Sequence, residues 1–184
     1  MGLMLQLGGG LLTVLPILWV LDLAPMLGLN LFPEQLLAIV LGLALALVFL
    51  NVRVNQQRGG AVPWYDIVAS VLGLATLVHV AIAYERLLID VSSRTTETLI
   101  IGVIVVILVM EGLRRTAGMT LFLVVLAFIG YALVADLVPG ELEGRPVSFE
   151  VLFNYLALDT NSVLGIPMKV GSTIVIMFIL MGQL

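Results

Sequence analysis

Long, continuous apolar runs recur along this chain, and they constrain its fold more than any motif does. Residues 36–50, 67–83, 98–110 and 119–137 contain almost no charged side chain. A helix needs about 20 predominantly apolar residues to cross a bilayer, whereas a transmembrane β-strand alternates apolar and polar positions. The sequence therefore predicts an all-α, polytopic membrane protein.

Composition supports this fold class and excludes several functions. The 184 residues are 61% hydrophobic and 11% charged, whereas soluble domains carry about 25% charged residues. The net charge of −4 says little about partners because so few charges contribute to it. Since no basic patch with interleaved aromatic residues occurs, nucleic-acid binding has no support. The absence of cysteine excludes disulfides and thiolate metal sites.

We expect about six transmembrane helices and one short interfacial or re-entrant helix. The first span, residues 11–31, is irregular because it contains two prolines and Asp22. No Lys or Arg precedes it, which favours a retained helix over a cleaved signal peptide. The short amphipathic segment covers residues 149–158, and the last apolar run begins near Val163.

The last apolar run continues to Leu184 without a charged residue at its end. A span is normally followed by something polar that lies among the headgroups. We therefore expect the chain to be the opening portion of a longer membrane protein, with its last helix truncated. Much of the activity would then belong to residues beyond Leu184.

The positions of the arginines predict the orientation in the membrane. Arg53 and Arg58 follow the second span, and Arg114 and Arg115 follow the fourth. The alternate loops mix both signs or, as in residues 139–150, are net acidic. Because arginine-rich loops stay cytoplasmic, we expect a cytoplasmic N-terminus and an external loop before the short segment.

His79 and Asp22 lie inside predicted spans, where ionisable groups are costly and are functional candidates by default. His79 is the only histidine, and no acid lies one helical turn away. A neutral histidine bonded to a neighbouring helix is therefore favoured over a proton relay, and no metal site is expected. Asp22 could bind a coupling ion, but the nearby Pro25 favours a position close to the interface.

The densest group of charges is formed by Glu111, Arg114 and Arg115. Glu111 and Arg115 are four residues apart, so they can pair on one helix face. Two interpretations stay open. The group is either a stop signal at the interface that pairs internally, or a docking point between this bundle and another part of the same protein.

Enzyme chemistry has no support in the sequence. There is no Ser/His/Asp set, no HExxH motif and no carboxylate pair in a polar loop. The run Gly8-Gly9-Gly10 lacks the preceding strand and following lysine of a phosphate-binding loop. Transport, or a purely structural membrane module, remains.

Several short motifs occur in order along the second half of the chain. They are Glu111-Gly112-Leu113-Arg114-Arg115-Thr116-Ala117-Gly118, an apolar helix with Tyr131, Pro139-Gly140, Ser148-Phe149, Asn154-Tyr155-Leu156 and Gly165-Ile166-Pro167. This series, with Pro63-Trp64-Tyr65-Asp66 before it, resembles the fused membrane permease of TRAP transporters. It is most similar to the type served by TAXI-class receptors, whose small and large membrane subunits form one chain. The resemblance covers residues 35–184 and is strongest from Glu111 onward.

The resemblance implies a secondary transporter without a cofactor. In this family a soluble extracytoplasmic receptor delivers an organic anion such as a carboxylate, and the membrane part imports it with a sodium gradient. It implies a small-subunit-like bundle over residues 1–137, an external linker over 138–148 and the first elements of the large subunit over 149–184. The implied partners are the receptor, the rest of the permease and the lipids of a bacterial or archaeal cytoplasmic membrane.

The last motif carries structural residues rather than a substrate site. On the resemblance, Gly165, Ile166 and Pro167 shape the start of a helix. Lys169 follows closely, and we expect it to snorkel to the headgroups; the alternative is an inward position that contacts an anionic substrate or a receptor carboxylate. A different class of function also stays open, namely a stand-alone structural or assembly membrane protein that transports nothing.

Overall fold

The computed structural model describes residues 2–21, 31–52, 63–93, 95–140, 143–175, 178 and 181–182. This described part is helical and contains no β-strand. The helices are α1 (Gly2–Val20), α2 (Pro33–Asn51), α3 (Trp64–Ser93), α4 (Thr96–Ala117), α5 (Met119–Val134), α6 (Phe149–Leu158) and α7 (Ile166–Lys169). A 3₁₀ turn, Ala135–Leu137, follows α5, and a π-helical turn, Val170–Val175, follows α7.

Four of the described helices are long and apolar enough to cross a membrane. They are Pro33–Asn51, Trp64–Leu87, Thr96–Ala117 and Met119–Leu137. The chain therefore has the character of a multi-pass membrane protein. The segment Leu7–Val20 of α1 and helix α6 are apolar but shorter.

The ends of the predicted first and last spans differ from the observed elements. Helix α1 begins at Gly2 and ends at Val20, well before the expected end at residue 31. Asp22 lies outside the described residues, so its two interpretations stay predictions. The last run begins with α7 at Ile166, and beyond Val175 the structure describes only residues 178 and 181–182.

Helix α3 is longer than the sequence predicts, since it continues to Ser93 instead of ending at Ala83. The charges that follow Ala83 suggest a loop, but this segment contains no Gly or Pro that would end a helix. Its residues Tyr84 and Leu87 are three positions apart and both are buried, so one face of the extension belongs to the core.

Helix α4 also extends beyond its predicted bounds, 98–110, so the Glu111–Arg115 group lies within the helix rather than after it. The hydroxyl of Thr95 caps the start by accepting a hydrogen bond from the Thr98 N–H at 3.4 Å. The helix ends at Gly118, whose φ of 90° suits a residue without a side chain.

Helices α2, α3 and α4 form the core of the bundle. Glycines allow their backbones to approach closely, as is common between membrane helices. A Cβ atom added at Gly42 of α2 would lie 3.2 Å from the Leu77 Cβ of α3, and one added at Gly112 of α4 would lie 3.0 Å from Leu45 Cδ2 of α2. At one end, Gln35 of α2 also donates a hydrogen bond to the Ala81 carbonyl of α3 at 2.8 Å.

Helix α5 is attached differently, because none of its residues is buried. It contacts α4 and touches α6 and the 3₁₀ turn, but large apolar side chains such as Leu123 and Phe128 point away from the bundle. In a bilayer this surface faces hydrocarbon or another membrane segment.

Helix α6 packs across α4 at very short range. Ser148 caps its first turn by accepting from the Val151 N–H. A Cβ atom at Gly102 of α4 would lie 2.9 Å from the Phe153 carbonyl oxygen of α6, which is closer than real Cβ contacts come. Gly102 is therefore the position that lets the short helix lie against α4.

We predict that Gly102→Ala lowers the stability of the protein. The added methyl group meets backbone atoms that cannot rotate away, and overpacking of this kind costs about 1–3 kcal/mol. Thermal unfolding in detergent measures the loss. Gly130→Ala on α5 is the matched control, since nothing lies within 4 Å of its added Cβ; equal effects of the two substitutions would contradict the packing argument.

Candidate functional site

The charged group at the end of α4 pairs within its own helix. The Glu111 carboxylate accepts a hydrogen bond from Arg115 Nε at 2.7 Å, as the four-residue spacing predicts. It also accepts two from Arg114, through Nε and Nη2, each at 2.7 Å. Bidentate contacts of this type hold a guanidinium in a fixed orientation.

Arg115 reaches beyond its own helix to two others. Its side chain is 4% exposed, and Nη2 lies 2.7 Å from Oδ1 of Asp66 in the first turn of α3. Nη1 donates to the backbone carbonyl of Val52, which follows the last turn of α2, at 3.2 Å. The guanidinium carbon also lies 4.9 Å from the centroid of the Phe49 ring. One side chain thus joins α2, α3 and α4.

Asp66 depends on this arginine for compensation of its charge. Its side chain is 1% exposed, and neither carboxylate oxygen receives a well-directed hydrogen bond from the described residues. The contact is therefore an ion pair set by distance rather than by N–H direction. A buried charge that loses its partner is strongly destabilising, so Asp66 and Arg115 form one structural unit. We name the group of Asp66, Glu111 and Arg115 the arginine clamp.

The charged group predicted from the sequence does not include Asp66, although the sequence contains a signal for it. Short links join α3 to α4, so the two helices are antiparallel and the start of α3 lies level with the end of α4. An acid in the first turn of one and a base in the last turn of the other are then neighbours. Opposite charges at one end of the bundle therefore predict a pair between Asp66 and Arg115.

The two interpretations of the charged group apply to different members of it. Arg115 is buried inside the bundle, so it cannot bind another segment without breaking its ion pair with Asp66. Arg114 and Glu111 are 24% and 28% exposed and face the periphery. A docking role remains a prediction for these two residues alone.

His79 contacts a residue of the neighbouring helix α4. Its Nε2 lies 3.1 Å from Oε1 of Glu97 on α4, and Arg86 Nη2 lies 2.5 Å from the same oxygen. The side chains of His79 and Glu97 are 49% and 38% exposed, so the contact lies on the surface of the bundle. Sequence spacing missed Glu97 because it is 18 residues away on the next helix.

The residues of the last motif lie apart from the clamp. Gly165 stands in a tight turn before α7, where an added Cβ would lie 1.8 Å from the Thr160 carbonyl oxygen. Ile166 and Pro167 form the exposed first turn of α7. Lys169 is exposed as well, and both interpretations of it stay predictions.

Asn154 of α6 is a polar residue whose burial the sequence did not predict. It is 3% exposed, and neither its amide nitrogen nor its oxygen has a hydrogen-bond partner among the described residues. Buried amides are normally paired, so α6 retains capacity for a further polar contact.

The described cavities are apolar. One of about 320 Å³ lies between α4, α5 and α6, and Glu111 is the charged residue in its wall. Another of about 420 Å³ lies between the end of α1 and the last described residues, against Val20, Ile174 and Phe178. Within the described ranges, no group of three or more His, Asp or Glu could hold a metal ion.

Comparisons with protein-family models, curated proteins and solved structures find no match for this chain.

We predict that Arg115→Met destabilises the bundle by about 3–5 kcal/mol, because it leaves the buried Asp66 charge unpaired. The double variant Asp66→Leu/Arg115→Met should lose less than the sum of the two single changes, since it removes both charges together. Unfolding titrations in mixed detergent micelles measure the four free energies of the cycle.

Arg114→Gln serves as the control for that cycle. Its partly exposed pair with Glu111 should contribute only about 1 kcal/mol or less. Additive losses for the double variant, or an equal loss for Arg114→Gln, would show that the clamp does not hold the three helices.

Proposed function

We propose that this chain is the scaffold-side membrane part of a TRAP-type secondary transporter that imports organic anions such as carboxylates with a cation gradient. It is a non-enzymatic permease segment in the cytoplasmic membrane of a bacterium or archaeon. Its partners are a soluble extracytoplasmic receptor and the remaining transport subunit. The substrate and sodium sites belong to segments downstream of Leu184.

The observation that carries this proposal is the arginine clamp. Two motifs of the resemblance, Pro63-Trp64-Tyr65-Asp66 and the one that begins at Glu111, are far apart in the sequence but meet through the Asp66–Arg115 ion pair. A fixed bundle with fully compensated charges suits a stationary scaffold. A site for an anionic solute needs an accessible cation, whereas Arg115 is buried and each nitrogen of its guanidinium already has a partner in the bundle.

The second part of the proposal divides the chain as the resemblance implies. Residues 1–137 act as the small-subunit-like bundle, 138–148 as an external linker and 149–184 as the first elements of the large subunit. The close packing of α6 against Gly102 supports a direct contact between the small-subunit-like bundle and the first elements of the large subunit. The total of about six spans also belongs to this proposal.

A stand-alone structural or assembly membrane protein is the alternative, and the unburied surface of α5 favours it. Both candidates can place further membrane segments on that surface. They differ in what those segments are.

The coding sequence after Leu184 distinguishes the two candidates. Paired membrane segments interrupted by Gly or Pro in the same reading frame would support the transporter. Affinity purification of the chain from its native membrane should then yield a receptor-dependent, sodium-driven uptake activity after reconstitution. A stop codon with no transport subunit in the purified complex would reject the transporter in favour of the assembly protein.

Orientation gives a separate prediction. Val52, Asp66 and Arg115 meet at one end of the bundle, and we assign this end to the cytoplasm because arginine-rich segments stay inside. The chain lacks cysteine, so single cysteines report cleanly. An impermeant maleimide should label Glu143→Cys in intact cells and should label Thr116→Cys only after permeabilisation; the reverse pattern would invert the topology.

A further inference from the structure

The cavity between α4, α5 and α6 has an almost wholly apolar wall. Its wall contains Met110 of α4, Phe122, Leu126 and Ile129 of α5 and Phe153 of α6. All of these are apolar, and the volume of about 320 Å³ is at the lower limit for ligand pockets. Such a wall favours an apolar ligand, for example an acyl chain.

The position of α5 opens this cavity toward the membrane. Since α5 buries none of its residues, the cleft it forms with α4 borders the hydrocarbon rather than the core. Leu126 lines the cleft and is still 46% exposed. The ligand can therefore enter from the bilayer without separating packed helices.

The polar end of the cleft is formed by Glu111, whose carboxylate is paired with Arg114. Glu111 forms part of the wall, and Arg114 lies one helical turn beyond Met110, about 6 Å along the α4 axis. Glu111 engages Arg114 through Nε and Nη2. Because a guanidinium has five N–H donors in a planar fork, Nη1 is on the edge that faces away from Glu111.

This arrangement complements a phospholipid. We propose that one phospholipid occupies the cleft, with an acyl chain between α4 and α5 and its phosphate on Arg114. Arginine binds phosphate by charge-assisted hydrogen bonds, and the end of a membrane helix lies at headgroup level. The lipid joins the otherwise unburied α5 to the clamped bundle, and this role does not depend on transport.

Native mass spectrometry of the purified 184-residue chain tests the site. The chain is incubated with equal amounts of phosphatidylglycerol and diacylglycerol that carry identical acyl chains. We expect one retained lipid, with phosphatidylglycerol preferred. Arg114→Gln should reduce this preference about tenfold, as expected for loss of a charged hydrogen bond, and Arg114→Lys should restore most of it.

Filling the cleft tests the acyl-chain part. Leu126→Trp should abolish retention of both lipids, and the smaller Leu126→Phe should weaken it. The matched control is Leu123→Trp, which places the same ring on the outer face of α5. Arg86→Gln, which removes an arginine from the other end of the bundle, should leave the preference unchanged.

Three results would overturn the proposal. The first is unchanged lipid retention in Leu126→Trp. The second is a phosphate preference that survives Arg114→Gln or that is lost equally in Arg86→Gln. The third is a lipid-free dimer, which would assign the cleft to a second copy of the chain.

Discussion

The bundle depends on a single buried guanidinium. Arg115 lies among apolar helices, where a charge is tolerated only if its partners replace the lost water. It finds them on three helices: Asp66 on α3, Glu111 on its own helix, and the carbonyl of Val52 after α2. Lipid tails are as apolar as the helix surfaces, so apolar contact alone does not fix how far one helix is shifted along another. Charged contacts at one end of the bundle do fix this shift of one helix along another, and the clamp supplies them.

Glycines allow the helices that the clamp aligns to pack closely against one another. Gly112 is one turn before the end of α4, close to Leu45 of α2, and Gly42 faces Leu77 of α3. Each allows close packing along the length that the clamp has brought into register. Helix α5 has neither a buried charge nor a buried residue. The difference explains why three helices form a compact core while the fourth membrane-length helix lies at its edge.

The sequence predicted the helical membrane fold, the bounds of α6 and most of α2 and α5, because apolar runs report directly on burial in hydrocarbon. It misplaced the end of α3, where charged residues on the outer face hide the buried Tyr84 and Leu87. It did not identify which residues meet between helices. Arg115 and Val52 are 63 residues apart, and their meeting depends on the rotation of each helix about its axis. That rotation is set by packing, which a single sequence does not specify.

The buried polar groups of the described bundle differ in how many hydrogen-bond partners they have, and this difference bears on function. Every nitrogen of the Arg115 guanidinium has a partner within the bundle, whereas the buried Asn154 amide has none among the described residues. Recognition of a solute requires donors and acceptors that are free to exchange water for ligand. Arg115 lacks that freedom, so this residue is suited to holding helices rather than to binding an anion. Three helices held in place would suit the stationary scaffold that we propose, and the unpaired buried amide of Asn154 lies on α6, where the two proposed parts of the chain meet.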